Sequence, residues 1–235
     1  MSANDTRINE WFVPRFGPIR FRAFVGLLFL PYTAMCVSFT LFGSMLADST
    51  HWDRVGAIAL VYFLALGFAA HCADNLGSKK VKPWGNYFSR LQLAAVMLLT
   101  MAAAYAIGGY YIVFHVPVLG IIAALEGFFL FAYNFEFWQG RFHNNFWFAI
   151  SWGALPVLAG FVMQTNEISL IAIIVAAGAS IVSYAEIKMS RRYKQLVKTD
   201  SKEKTAKELE GRLKLLCLST TCFALIVLLT RAIFS

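Results

Sequence analysis

Residues 168–194 read ISLIAIIVAAGASIVSYAEIKMSRRYK. An apolar run closed by Arg and Lys is typical of a transmembrane helix whose end meets the cytoplasmic face of a bilayer. The chain has seven apolar stretches, each near the roughly 20 residues that one crossing needs. The predicted crossings are residues 25–46, 55–73, 91–107, 111–133, 146–163, 168–185 and 213–234.

Basic residues divide unevenly between the connections. Nineteen of the 21 Lys and Arg residues lie in the N-terminal arm or after the second, fourth and sixth stretches, which leaves only Arg54 and Arg231 for the other side. Short cytoplasmic loops carry an excess of Lys and Arg. The sequence therefore predicts an all-α, multi-pass protein of the cell membrane with about seven transmembrane helices. Its N-terminus is predicted to be cytoplasmic and its C-terminus to lie outside.

The composition agrees with one membrane domain. With 59% hydrophobic and 14% charged residues, the chain has too little polar surface for a soluble domain. We predict a cytoplasmic, interfacial arm over residues 1–24 and a single transmembrane domain over residues 25–235. Long cytoplasmic loops are predicted at about residues 74–90 and 186–214, with a solvated helix over residues 201–214. The net charge of +8 lies mainly in these segments, which favours membrane lipids rather than nucleic acid as partners.

The four cysteines do not form a CxxC pair, and all lie within or at the ends of apolar stretches. This placement predicts buried free thiols rather than a redox or metal site. The cysteines are Cys36, Cys72, Cys217 and Cys222.

Polar residues end the second, fourth and sixth stretches on the predicted cytoplasmic side. We expect His71, Asp74, Asn134 and Glu186 to surround the mouth of one cavity. Carboxylates there are suited to Mg²⁺, and neighbouring cations are suited to a diphosphate. The same residues are also expected of topology and helix capping alone. The further candidates for substrate binding are Asn75, Lys79, Lys80, Glu136, Arg141, Lys188, Arg191, Arg192 and Lys194.

Glu126 lies near the middle of the fourth stretch, where an ionised carboxylate is costly. We expect it to be protonated or hydrogen-bonded inside the bundle and turned away from lipid. It is interpreted either as an interhelical hydrogen bond or as a polar anchor for a ligand head group. The candidate partners at similar depth are Ser38, Thr40, Thr100 and Ser180.

Four short stretches occur in an order that is similar to a known family. They are residues 17–22 (GPIRFR), the polar patch that begins at His71, the pair Tyr133-Asn134, and residues 152–160 (WGALPVLAG). With these stretches and two long cytoplasmic loops, nearly the whole chain resembles the UbiA superfamily of intramembrane prenyltransferases. The resemblance implies a helical bundle in which Asp-rich motifs after the second and sixth helices bind Mg²⁺ and a prenyl diphosphate. Ionisation of the diphosphate then gives an allylic cation that alkylates a lipophilic acceptor.

The chain departs from the family in those motifs. Asp74 is the only acid between residues 69 and 91, and Glu186 is the only acid between residues 180 and 199. We assign both as candidate catalytic residues and as ligands of a single Mg²⁺. The sequence then leaves two functions open. One is a divergent prenyltransferase that acts on an isoprenoid diphosphate and a lipophilic acceptor; the other is a catalytically inactive UbiA-like subunit that binds a lipid or quinone in a larger membrane protein complex.

Two other classes have less support. Haem or copper binding would rest on His71, His115 and His143, but His115 lies on the predicted outer side, away from the other two. A transporter is expected to show an inverted repeat or paired broken helices, and neither is visible in the sequence.

Overall fold

The computed structural model describes residues 7–78, 84, 86–199 and 203–234, and over these residues every regular element is helical. Six of the seven main helices are long and apolar enough to cross a membrane; α4, with 16 residues, is shorter. It rises about 24 Å, against about 30 Å of hydrocarbon. The described part of the chain is therefore all-helical, with about six helices able to span a membrane, and the seventh crossing stays a prediction. The bounds are α1 Ile19–Met45, α2 Trp52–Gly77, α3 Arg90–Phe114, α4 Leu119–Asn134, α5 Asn145–Thr165, α6 Leu170–Thr199 and α7 Glu203–Phe234.

The connections gather at two ends of the bundle. The short-loop end contains residues 46–51, 115–118 and 166–169, where Val118 N donates to Asn166 Oδ1 at 3.0 Å. The basic end contains residues 7–18, 134–144 and 186–198, and it holds the polar cavity described below. The segments predicted to share a side therefore lie together, while the side of the membrane that each end faces stays a prediction.

The predicted boundary between the third and fourth crossings is wrong. Gly108 and Gly109 were expected to end the third helix, but α3 continues to Phe114. The turn falls at residues 115–118, where Pro117 has no N–H to continue the helix. Glycine is common inside transmembrane helices, so two glycines in a row do not end one.

The prediction of a second long loop, at about residues 186–214, is also wrong for most of that range. α6 continues without a break to Thr199, and α7 begins at Glu203, so residues 186–199 and 203–214 are helical. Lys and Arg are good helix formers, which lets a helix extend beyond its apolar part. The predicted solvated helix is the first part of α7, where Lys207 Nζ lies 2.6 Å from Glu203 Oε1. At the N-terminus, α1 begins at Ile19, inside the predicted arm.

The cysteine prediction is confirmed for three of the four residues. Cys36, Cys72 and Cys217 are buried, while Cys222 on α7 is exposed on the protein surface, and all four are free.

Two glycines bring α1 and α5 together. A Cβ at Gly43 would overlap the carbonyl oxygen of Val157, and a Cβ at Gly160 would overlap that of Thr40. The Ser44 hydroxyl also donates to the Gly160 carbonyl at 3.3 Å. Small residues let helix backbones approach closely in membranes, where packing rather than water drives association. This crossing therefore tolerates no added side-chain atom.

We expect Gly160→Ala to destabilise the bundle by about 1–3 kcal/mol, because the new methyl group must push α1 away. Gly178→Ala is the matched control, since its Cβ would have no atom within 4 Å. Thermal unfolding of both variants in the same detergent measures the difference. Equal melting temperatures would contradict the close approach.

The basic residues predict which end faces the cytoplasm. A reporter fused after Ser235 is expected to be extracytoplasmic, and one inserted near Asp200 cytoplasmic, because basic connections remain on the inner side. Alkaline phosphatase and fluorescent-protein fusions read these two states. Reporters that mark the same side at both positions would show that α7 does not cross.

Candidate functional site

A polar cavity of about 210 Å³ lies at the basic end, between α1, α2, α4, α5 and α6. Its wall includes His71, Asp74, Asn134 and Glu186, so their predicted convergence around one cavity is confirmed. Other polar or aromatic residues in the wall are Arg7, Phe29, Tyr32, Glu126, Phe129, Tyr133, His143, Phe148, Ser151, Trp152, Ser190, Arg191 and Lys194.

A close approach fixes the ends of α2 and α4. The space that a Cβ would fill at Gly77 is occupied by the carbonyl oxygen of Asn134. The Asn134 side chain donates back to the Leu130 carbonyl at 2.8 Å. This contact holds Asp74, one turn before Gly77, beside the end of α4.

A break in α1 directs Phe29 to the cavity. Phe29 has a φ of 45°, in the left-handed region, and Pro31 follows two residues later. Proline cannot donate a helical hydrogen bond, and it restricts the residue before it. The Thr33 hydroxyl donates to the Leu28 carbonyl at 2.7 Å. The Leu28 carbonyl therefore keeps a hydrogen-bond partner although the helix is broken there.

Two π-helical segments lie next to the cavity. Phe63–Ala70 precedes His71 in α2, and Ile150–Ala154 precedes Pro156 in α5. Such segments are frequent at functional sites because they shift the side chains around the helix. In α5, Pro156 has no N–H for the Trp152 carbonyl, which instead accepts from the Ser183 hydroxyl of α6 at 3.3 Å.

These irregular segments build an aromatic wall. The His71 ring stacks on Phe29 with centroids 4.4 Å apart, and its centroid lies 5.4 Å from that of Trp152. Trp152 stacks in turn on Phe148 at 5.2 Å. The imidazole is thus held between two aromatic residues on one side of the cavity.

Three cations and two carboxylates line the outer part of the cavity: Arg7, Arg191, Lys194, Asp74 and Glu186. Arg7 lies 4.0 Å from Asp74. Arg191 Nη2 donates to the Tyr133 hydroxyl at 3.0 Å. Lys194 Nζ lies 5.9 Å from the centre of the Phe29 ring and has no hydrogen bond to any described residue. Most of the donors of Arg191 and Lys194 are therefore available to a ligand.

Three buried polar atoms in the wall lack a hydrogen-bond partner among the described residues. They are Tyr32 Oη, His71 Nε2 and Glu186 Oε2. Buried polar atoms are nearly always paired with protein, water or a ligand. Their shared position on one cavity indicates a site for a polar group.

Residues 7–18, the described part of the predicted arm before α1, pack against the bundle and bring Arg7 to the cavity wall. Ile8 and Val13 are buried, and the Arg22 guanidinium donates to the carbonyls of Ile8 at 3.1 Å and Pro14 at 2.7 Å. These bonds hold the short 3₁₀ turn that begins at Arg7. The predicted interfacial arm is therefore packed against the bundle, although Phe16 is 73% exposed.

A second, apolar cavity of about 70 Å³ lies between α2, α3, α4 and α5. It shares Leu66, Glu126 and Leu130 with the polar cavity. The two cavities therefore adjoin at these three residues, one polar and one apolar.

Glu126 lies where the two cavities meet. Its Oε1 accepts a hydrogen bond from the Tyr62 hydroxyl of α2 at 2.9 Å, so the predicted hydrogen bond within the bundle is confirmed. The four predicted partners are wrong. Three of their hydroxyls donate to carbonyls of their own helix, and the Ser180 hydroxyl has no partner among the described residues. The wrongly predicted partners are Ser38, Thr40, Thr100 and Ser180.

Five other predicted binding residues lie away from the cavity wall, and two fall outside the described residues. Asn75 is buried, and its Oδ1 accepts from the backbone N–H of Trp84 at 3.3 Å. Glu136 is half-buried in the turn after α4, with a φ of 52°. Arg141, Lys188 and Arg192 are exposed, and Lys79 and Lys80 lie outside the described residues. A binding role for these seven residues stays a prediction.

Several residues of the wall were not among the predicted site residues. Ser190 follows Glu186 by four positions and precedes Lys194 by four, so helical spacing alone places it on the same face. Pro31 gives a local reason to expect the helix break that directs Phe29 to the cavity. Nothing in the sequence indicates that Arg7, which lies in the arm, returns to the cavity.

The residues of this wall fit an anion better than a magnesium ion. Within the described ranges, no three His, Cys, Asp or Glu side chains are grouped closely enough to hold a metal. Asp74 and Glu186 share the cavity with three cations, which repel Mg²⁺. A single Mg²⁺ on these two carboxylates stays a prediction.

The fold and site define a class of protein: an all-helical protein with helices able to span a membrane, in which a polar cavity adjoins an apolar one. No protein-family model, curated protein or solved structure matches the chain.

The packing of residues 7–18 against the bundle should depend on Arg22. We expect Arg22→Gln to make the amides of residues 7–18 exchange with solvent about tenfold faster, because two side-chain hydrogen bonds are lost. Hydrogen–deuterium exchange followed by mass spectrometry measures this change. Arg20→Gln is the control, since Arg20 lies two residues before Arg22 in the same helix and is exposed. Equal exchange in both variants would show that Arg22 does not hold the arm.

Proposed function

We propose that the protein binds an amphiphilic lipid, with an anionic head in the polar cavity and an apolar tail in the apolar cavity. An isoprenoid diphosphate is the chemical class that suits both parts. The observation that carries this proposal is the wall common to the two cavities, at Leu66, Glu126 and Leu130. Because the cavities adjoin there, one extended ligand with its head in the first and its tail in the second would contact both environments.

The head is assigned to the outer part of the polar cavity. Arg191 uses one donor on Tyr133, and Lys194 uses none among the described residues. Arg pairs with phosphate through two parallel hydrogen bonds, and Lys adds a point charge. Arg7 reaches the same cavity from the arm, so a bound head would be enclosed by α6 and the arm.

The tail is assigned to the apolar cavity. Its wall is almost entirely aliphatic or aromatic; the only hydroxyl or carboxyl side chains in it are those of Tyr62, Tyr105 and Glu126. Lipid and cofactor sites bury most of the ligand against such side chains and use few polar groups for orientation. In the orientation that the basic residues predict, the head faces the cytoplasm and the tail lies within the bilayer.

Two functions begin with this binding step. The aromatic wall of Phe29, His71 and Trp152 favours a divergent prenyltransferase, because aromatic faces stabilise a nearby cation such as an allylic cation. The small number of carboxylates favours a subunit that binds a lipid or quinone without reaction, as part of a larger membrane complex. Release of pyrophosphate distinguishes them.

Binding of farnesyl diphosphate to the protein in nanodiscs tests the proposal. Lys194→Gln and Arg191→Gln are expected to weaken binding about tenfold each, because each removes charge-assisted hydrogen bonds from the head. The controls are Lys188→Gln and Arg192→Gln, which remove the same charge from exposed positions of the same helix. Affinity should be unchanged by EDTA if the cations, rather than Mg²⁺, hold the head.

Three outcomes are informative. Equal losses in all four variants would show general attraction to a basic surface and would contradict the assigned head site. Absence of binding to the wild-type protein would contradict the ligand class. Pyrophosphate release on addition of a lipophilic phenol would establish a transferase, whereas binding without release would favour the accessory subunit.

A further inference from the structure

We infer that Glu126 is a binding site for an uncharged hydroxyl group, either a phenol or an alcohol, carried by a lipophilic molecule. The inference rests on the proposed function, since it assigns a second polar contact beyond the anionic head. It is carried by the position of Glu126 between the two cavities and by its one hydrogen bond.

The geometry leaves one carboxyl oxygen for a ligand. Glu126 Oε1 accepts from Tyr62, and Oε2 has no hydrogen bond to any described residue. The neighbouring hydroxyl of Tyr105 is already used, because it donates to the Ala123 carbonyl at 3.0 Å. A hydroxyl group that arrives in the cavity suits Oε2 in either state, because it can donate to the ionised carboxylate and accept from the protonated carboxyl group.

Neither part of an isoprenoid diphosphate explains this carboxyl group. An anionic head would be repelled by the carboxylate and gains nothing from it. A hydrocarbon tail has no donor, and a carboxyl group that faces hydrocarbon is costly at this depth. A hydrogen bond between α2 and α4 alone would need only one acceptor atom. A hydroxyl group in the ligand would give the second carboxyl oxygen a hydrogen-bond partner as well.

The hydroxyl group has two possible sources. It belongs either to a second lipophilic molecule, such as a phenolic acceptor, or to a single hydroxylated lipid that occupies both cavities. Decylhydroquinone is a suitable probe, because it carries two phenolic hydroxyls, no charge and an alkyl tail.

The experiment compares decylhydroquinone and farnesyl diphosphate binding to the full chain in nanodiscs. We expect Glu126→Met to weaken decylhydroquinone binding about tenfold, because it removes the acceptor and leaves an apolar side chain of similar length. Farnesyl diphosphate binding should remain within about twofold of wild type, because its head contacts α6 and the arm. Leu125→Met is the matched control, since Leu125 precedes Glu126 on α4, is exposed, and lines neither cavity.

Two further variants separate binding from folding. Glu126→Gln keeps one acceptor oxygen for Tyr62 and places an amide N–H at the position of Oε2. It should fold and bind decylhydroquinone with a loss of only a few-fold, because a phenol hydroxyl can also accept a hydrogen bond. Tyr62→Phe removes the internal hydrogen bond, leaves Oε2 in place, and should also retain binding. If Glu126→Met misfolds, a few-fold loss of decylhydroquinone binding in Glu126→Gln with unchanged farnesyl diphosphate binding supports the site, and no loss contradicts it.

The outcomes distinguish the source and the two proposals. Native mass spectra with both probes bound assign the hydroxyl to a second molecule, and mutual exclusion assigns it to a single lipid. Unchanged decylhydroquinone binding in Glu126→Met, or equal loss of both ligands, would overturn the inference. Failure of the wild-type protein to bind farnesyl diphosphate would instead overturn the proposed diphosphate site. Decylhydroquinone binding would still test Glu126, because it is measured separately.

Discussion

Backbone groups inside a membrane must find partners within the protein, and this requirement ties the cavity to two repaired helix breaks. α1 and α5 each depart from α-helical hydrogen bonding beside a proline. A hydroxyl group repairs each break: Thr33 donates to the Leu28 carbonyl at 2.7 Å, and Ser183 donates to the Trp152 carbonyl at 3.3 Å. Both breaks border the polar cavity. The irregular backbone that shapes the site is therefore stable only because nearby hydroxyls replace the lost helical donors.

The same requirement explains the two basic residues that lie apart from the others. Arg54 donates to the carbonyls of Met163 at 3.3 Å and Gln164 at 3.2 Å, near the end of α5. Arg231 donates to the carbonyls of Ala47 and Asp48, just after α1. Carbonyls at a helix end have no partner within the helix. These two arginines hold helix ends together, so their position on the side poor in basic residues has a structural cause.

The sequence predicted which segments are helical and which of their ends meet, because both follow from apolar length and from the distribution of charge. It failed where the answer depends on a partner from another helix. Glu126 is the clearest case: a Ser or Thr hydroxyl in a helix can donate to a carbonyl of the preceding turn, whereas a Tyr hydroxyl is too distant from its own backbone and reaches a neighbouring helix. The hydroxyls of Ser38 and Thr100 therefore bond locally, and Tyr62 becomes the partner at 2.9 Å. Arg7 reaches the cavity only through the fold of the arm.

The charges of the cavity bear on how an anionic head would be held. Magnesium needs several oxygen ligands and neutralises a diphosphate by bridging it to carboxylates. Cations do the same without carboxylates, and in a cavity with little water their attraction for an anion is strengthened. A site with few acids must therefore have cations if it is to bind a diphosphate, and Arg191, Lys194 and Arg7 supply them from α6 and the arm. Because Arg22 holds the arm through two backbone carbonyls, the third cation is present only while the arm is packed. Head binding in the proposed site would therefore use a contact from the packed arm, which a site built on metal alone would not require.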